Sequence, residues 1–137
     1  MIAQVHAAGI LFEDESGEVL VLKRHSSTPE PNTWGLVGGN IDPGEDTFTA
    51  AVREASEETG HTVPSAELEL IRTYNWSRKD SSITFEVFKY KVNKHELDIV
   101  LDLNESTDHK WAMPQDLYQT KDLMIGLYPI LKDTYHL

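Results

Sequence analysis

From Thr47 to Thr59 the apolar residues Phe48, Ala51, Val52 and Ala55 recur at helical spacing, and Gly60 follows where a left-handed cap is expected. No other stretch restricts the fold as firmly, and the spacing predicts a helix over 47–59. Glu54, Glu57 and Glu58 stand on it at i, i+3 and i+4, so three carboxylates project from one side, next to but distinct from the apolar stripe. Like charges at that spacing cost about a few tenths of a kcal/mol per pair, and Glu57 and Glu58 also lie at the negative end of the helix dipole. Folding stability alone would not select this arrangement.

A hard divalent cation removes the conflict, because Mg²⁺ or Mn²⁺ prefers oxygen ligands and a carboxylate cluster supplies several at short range. Upstream, Gly38-Gly39 and Pro43-Gly44-Glu45 form a loop whose glycines let backbone carbonyls approach an ion closely. Arg53, on the same helix, can fork onto Glu45 or a neighbouring glutamate and hold it in one rotamer. A run such as Glu57-Glu58 taken alone is more often a solvated acidic face.

Around this segment the chain reads as alternating strands and helices. Gln4 to Phe12 and Val19 to Leu22 are apolar on either side of the acidic loop Glu13 to Glu18, which predicts a hairpin. Ser26 to Thr33, with Pro29 and Pro31, cannot continue a strand and is expected to be a mobile surface loop before a short strand, Trp34 to Val37. Leu68 to Tyr74 and Ile83 to Val92, with the polar turn Ser77 to Ser82, predict a second hairpin. His109 to Met113 reads as a last strand, Pro114 to Tyr118 as a helical turn, and Met124 to Tyr135 as a C-terminal helix. The mixture implies a layered α/β domain, and 137 residues are enough for one domain with its own core.

Charge narrows the function. A formal net charge of −11 argues against gripping long nucleic acid, and an acidic protein that handles phosphates needs a cation between its carboxylates and the substrate. No apolar run approaches the roughly 20 residues of a membrane span, and the start lacks the pattern of a signal peptide, so a cytoplasmic location is the expectation. The chain has no cysteine, and its histidines show no pair at ligand spacing, which leaves carboxylates as the candidate metal ligands. The acidic ligand spacing of an EF-hand calcium loop is absent.

Gly39, five residues, Glu45, seven residues, then Arg53-Glu54-Ala55-Ser56-Glu57-Glu58-Thr59-Gly60 resembles the Nudix box. It departs at His61, where the family usually has a bulky aliphatic residue, and at Val37, where many members have proline. Neither departure removes a polar group. His61 is expected to weaken packing just after the helix, with Val63 taking over the burial. Outside the box the resemblance rests on the strand arrangement, Trp34 before the glycines, and the Asp108 to Trp111 stretch.

The resemblance implies a Nudix-type α/β/α sandwich with a mixed β-sheet, as a single domain over 1–137, and magnesium-dependent hydrolysis of a nucleoside diphosphate linked to a group X. Glu54, Glu57 and Glu58 would then be metal ligands with the Gly38 carbonyl, and Glu45 and Arg53 would support them. The general base, Glu57 or Glu54, is left open. Asp108 is chosen over Glu105 as an acidic ligand from a later loop, with a solvated loop residue as the competing reading. Lys23 and Arg24 are candidates for phosphate contact, although strand-edge lysine also prevents aggregation. Trp34 and Trp76 are candidates for stacking on a base, although both residue types more often serve as anchors. The expected substrate is a nucleoside triphosphate, including modified nucleotides. ADP-ribose, a nucleotide sugar or a dinucleoside polyphosphate is the runner-up, and a nucleotide-binding sensor without catalysis is the alternative of another class. A homodimer is the expected assembly.

Overall fold

The computed structural model describes residues 3–77 and 79–137, so the first two residues and position 78 of the predicted turn Ser77 to Ser82 lie outside it. The strand β1 (Ala3–Glu13) is central because both its faces are apolar over its second half. Ala8, Ile10 and Phe12 join one buried cluster, and Leu11 joins another on the opposite face. Neighbouring strands therefore occupy both edges of β1. Along one edge β6 (Ser81–Lys91) runs parallel, from Ala3↔Ser81 to Glu13↔Lys91. Along the other, β4 (Val37–Asn40) runs antiparallel, from Ala7↔Asn40 to Ile10↔Val37. β5 (Glu69–Ser77) pairs with β6, which is the predicted second hairpin. The remaining strands, β2 (Val19–Arg24), β3 (Trp34–Gly35) and β7 (Ser106–Ala112), pair around β2 and complete a mixed sheet of seven strands.

The predicted first hairpin forms at its turn and then opens. Asp14 Oδ1 accepts from the Ser16 and Glu18 N–H groups at 3.0 and 2.8 Å and from the Ser16 hydroxyl at 2.8 Å, which fixes the reversal. Beyond Glu13↔Val19 the two strands part. Residues of β4 occupy the edge of β1 that β2 would need, and β2 finds full burial elsewhere, with Leu20 and Leu22 in one cluster and Val19 and Val21 in the other.

Helix α1 (Thr47–Thr59) covers one face of the sheet, with Asp46 accepting from Thr49 N–H at its start and Gly60 at φ 75 at its end. It buries Ala50, Ala51 and Ala55, whose small side chains let it lie close to β1 and β4. Phe48, expected in the buried stripe, is instead 42% exposed and rests edge-on against Phe88. α2 (Pro114–Tyr118) and α3 (Leu127–Tyr135) cover the opposite face through Leu117, Leu127, Ile130 and Leu131. The result is the α/β/α sandwich that the resemblance implies. Among the described residues no helix is long and apolar enough to cross a membrane.

Several predicted elements change their extent, β2, β5 and β6 by two or three residues at an end. The strand expected over Trp34 to Val37 is divided at Leu36, where the chain leaves β2 and joins β1. β7 begins at Ser106 rather than His109, because its pairing with β2 continues to Arg24. α3 begins after Gly126, since Met124 is pinned to Trp34 by a backbone hydrogen bond of 2.9 Å. The Ser26 to Thr33 loop lies at the surface as expected, but it is tied down. Arg24 Nε donates to Pro29 O at 2.6 Å, and the Ile125 N–H donates to Glu30 Oε1 at 2.9 Å. His61 loses little as a packing residue: it stacks on Tyr90 with centroids 5.8 Å apart, its Nε2 lies 3.0 Å from the Tyr90 hydroxyl, and Val63 is buried beside it.

Candidate active site

Gly38 and Gly39 bring the loop and the helix together through their lack of side chains. A Cβ at Gly38 would overlap the Ala8 carbonyl oxygen, and one at Gly39 would lie 2.7 Å from the Glu54 carboxyl carbon. The Glu54 carboxylate therefore rests on the Gly39 backbone. One helical turn further on, Glu58 Oε2 accepts from the Gly38 N–H at 2.9 Å. These contacts place two of the three expected glutamates against the glycine pair. Glu57 stands further out, with its side chain 54% exposed.

Arg53 organises the cluster more completely than a single fork would. Its Nε and Nη2 donate to Glu45 Oε2 and Oε1 at 2.8 and 3.0 Å, and Nη2 also donates to the Asn40 carbonyl at 3.0 Å. Its Nη1 donates to Glu54 Oε1 at 3.0 Å and to Glu57 Oε2 at 3.2 Å. Arg53 thus joins the loop, the sheet edge and the helix, and it is held firmly charged. The Glu45 carboxyl is kept below its ordinary range, first by Arg53 and then by the Asp42 N–H. Both residues make these contacts within the cluster itself, to carboxylates and backbone.

The other carboxylates carry the opposite bias. Burial raises the Glu54 pKa, and Glu57 and Asp42 add to the rise, against the pull of Arg53. Burial pushes Glu58 up to about 8, with Glu54 and Glu105 adding like charge, against the Gly38 N–H and Arg24. Desolvated carboxylates with incomplete compensation are the environment in which a divalent cation is most stabilising, so the oxygen-only donor set fits Mg²⁺ or Mn²⁺. Among the described residues no three acidic or histidine side chains already converge at coordinating distance, and Arg53 lies between Glu54 and Glu57.

Asp108 sits exposed on β7 opposite Lys23, where its Oδ1 accepts from the His109 N–H at 2.8 Å. Glu105, passed over in the sequence, is the later acidic residue whose charge reaches Glu58, and its carbonyl accepts from His25 N–H at 2.9 Å beside Arg24. Residues alternate sides along a strand, and the start of β7 at Ser106 puts Glu105 before the strand rather than on it.

Of the candidate substrate contacts, Arg24 lies within electrostatic reach of Glu58, and Lys23 pairs across to Trp34 and Asp108. Trp34 carries ammonium groups: Lys110 Nζ is 4.4 Å and Lys23 Nζ 5.9 Å from its ring centroid. Lys110 was not singled out in the sequence, although it follows Asp108 at strand period two. Trp76 packs against the same buried cluster as Trp34, stacked on Tyr74 at 5.3 Å and covering Gly126. A groove of about 530 Å³ lies past the end of β1 among Glu13, Asp14, Met113 and Tyr135. Its lining includes none of the box glutamates, so the volume does not mark the chemistry.

The NUDIX domain family matches residues 3–134. "Nucleoside diphosphate-linked moiety X motif 6" of Xenopus laevis is 44% identical over 57 residues, which cover 42% of this chain and 25% of that protein, so this chain spans only part of that relative. An "RNA pyrophosphohydrolase" of Dinoroseobacter shibae is 28% identical, over 93% of this chain and 84% of that protein. Among solved structures, a MutT protein of Methanosarcina mazei superposes with a TM-score of 0.85 at 22% identity, covering 98% of this chain and 95% of that one.

Proposed function

We propose that this chain, which belongs to the NUDIX domain family and is a Nudix hydrolase, acts as a metal-dependent pyrophosphohydrolase on nucleoside triphosphates, modified nucleotides included. The carrying observation is the arrangement of Glu54 and Glu58 on the Gly38-Gly39 backbone, with Glu57 outermost and Arg53 joining them to Glu45. Glu54, Glu57, Glu58 and the Gly38 carbonyl would hold Mg²⁺ or Mn²⁺, with Glu105 rather than Asp108 as the later acidic contributor. The ion, when bound, neutralises charge on the bridging and leaving phosphate oxygens.

The chain's own groups supply position and proton transfer. Arg53 and Glu45 fix the carboxylates, so little reorganisation is needed as charge develops. Glu57, the most exposed of the three, is the glutamate best placed to take a proton from an attacking water, and Glu54 is the alternative. Lys23 and Arg24 face the phosphates, and Trp34 and Trp76 border the nucleoside end.

A triphosphorylated RNA 5′ end is the second reading, supported by the Dinoroseobacter shibae relative that covers nearly the whole chain. The net charge of −11 opposes it, since contacts to a long phosphate backbone need lysine and arginine. Release of pyrophosphate or phosphate from nucleoside triphosphates, ADP-ribose, nucleotide sugars, dinucleoside polyphosphates and triphosphorylated RNA, with and without chelator, tests both. Turnover of triphosphates that stops with chelator and in Glu57→Gln supports the proposal. Preferred turnover of RNA moves the assignment to the second reading. Nucleotide binding without any turnover overturns both in favour of a sensor.

A further inference from the structure

Lys110 and Lys23 lie on neighbouring antiparallel strands, β7 and β2, and both reach one ring: their ammonium groups stand 4.4 and 5.9 Å from the Trp34 centroid. All three residues are half-buried. Attraction to the ring, about 0.5–2 kcal/mol for each ammonium, holds the lysines in place but does not neutralise them. Like charges gathered at one place call for an opposite charge, and the chain has 23 acidic against 12 basic side chains, so carboxylates are not scarce. Among the described residues, however, neither lysine makes an ion pair, in contrast to Arg53, Lys89 and Lys94. Asp108 stands opposite Lys23 in the pairing, but its Oδ1 is turned to the His109 N–H.

Successive residues of a strand face opposite sides of the sheet. Trp111 packs against the cluster beneath α1 and Ala112 against the cluster beneath α2 and α3, so Lys110 shares the side of Ala112. Trp34 packs against that second cluster too. Glu54 and Glu58 ride on α1, whose Ala51 and Ala55 belong to the first. The two ammonium groups therefore lie across the sheet from the carboxylates. They are still close along the chain: Lys23 precedes Arg24, whose charge reaches Glu58, and the four residues from Trp34 to Gly38 span at most about 14 Å. An ammonium over the ring occupies a face that a stacked base would need, and an ammonium pair without a carboxylate is the complement of an anion.

We propose that Lys23 and Lys110, held on Trp34, form a second phosphate-binding site on the sheet face away from the glutamates, for a phosphate that the ligand carries beyond the bond being cleaved. The site needs no metal. That the phosphate belongs to a nucleotide rests on the pyrophosphohydrolase reading above; the site itself does not. Two kinds of nucleotide share this chemistry, one with a phosphate on the ribose and one with a longer polyphosphate chain.

The test titrates native protein, Lys110→Met and Lys110→Arg, all with chelator, with inorganic pyrophosphate, adenosine 3′,5′-bisphosphate, diadenosine tetraphosphate and adenosine. Binding is read by calorimetry and by the tryptophan fluorescence that Trp34→Phe lacks. Methionine keeps an unbranched apolar stem beside the ring, and an unchanged Tm verifies the fold. The Kd for pyrophosphate is expected to rise about tenfold in Lys110→Met, to stay within about threefold in Lys110→Arg, and to rise with salt in the native protein. The nucleotide that loses more affinity in Lys110→Met identifies where its phosphate is carried. No binding of pyrophosphate to native protein, or equal Kd in native protein and Lys110→Met, overturns the site. A Trp34 response to adenosine as large as that to the bisphosphate also overturns it, because the ring is then a base platform. Pyrophosphate binding that depends on Lys110, without turnover of any nucleotide when Mg²⁺ is supplied, upholds the site and overturns the pyrophosphohydrolase reading instead.

Discussion

Two groups of carboxylates, at different ends of the sheet, differ in how fully they are satisfied. At the β1–β2 turn Asp14 is buried, yet three donors from Ser16 and Glu18 meet one of its oxygens and Lys94 Nζ lies 3.5 Å from the other. Burial raises its pKa, but those donors outweigh it and hold the carboxyl below its ordinary value. At the box, burial prevails for Glu54 and Glu58, and both are raised. Both places hold buried carboxylates; donor count differs. The turn has spent its charge on holding the backbone, whereas the box has charge left for something outside the chain.

The widest test of that contrast is catalytic. Glu57→Gln is expected to lower kcat by about 10²–10⁴ while Asp14→Asn leaves kcat within about twofold, measured on whichever substrate the native protein turns over. Arg53→Lys comes next: a point charge cannot span Glu45, Glu54, Glu57 and the Asn40 carbonyl, so kcat should fall about 10- to 100-fold and the metal concentration for half-activity should rise. Equal activity of Arg53→Lys and native protein would mean that charge alone, without the fork, is sufficient.

Stability should divide the two groups by sign. Asp14→Ala is expected to cost about 1–3 kcal/mol, read as a Tm lower by several degrees, because the Ser16 and Glu18 donors lose their acceptor. The folded Asp14 pKa is depressed, so this contribution is complete above the unfolded value and is lost as pH falls through the folded one. The Tm gap between native protein and Asp14→Ala should therefore close in acid. Glu58→Gln, with chelator present, is expected to raise Tm by a few degrees at pH 7, since a carboxyl whose pKa burial raises to about 8 must take up a proton on folding, and glutamine removes that cost while keeping an acceptor for Gly38. A fall instead would show that the Gly38 N–H bond outweighs the burial of Glu58.

Much of this was readable in the chain because it is local. The α1 limits, the Gly60 cap and the order of the box residues follow from spacing within one turn or one loop, and the structure places them where the spacing predicts. The hairpin at Glu13 to Glu18 was readable only as a turn. Whether β2 stays beside β1 depends on β4, which takes that edge of β1 and which no local pattern announces. The choice between Asp108 and Glu105 is likewise not a local one, since it depends on where β7 begins and hence on its pairing with β2. The stacking of His61 on Tyr90 and the hold of Lys110 on Trp34 are likewise contacts between distant segments.

The parallel pairing of β1 with β6 also sets a schedule. During synthesis the box emerges early and can form its helix, but the strand on which its glycines rest has its other edge bare until Lys91 has been made. Non-local parallel pairing is slow to form, because a long loop must close before any contact rewards it. The nascent chain therefore carries its most charged segment, complete in sequence, through a period when β1, the strand that Gly38 and Gly39 pair with, lacks its longest neighbour. Competence arrives with a strand that contributes no ligand.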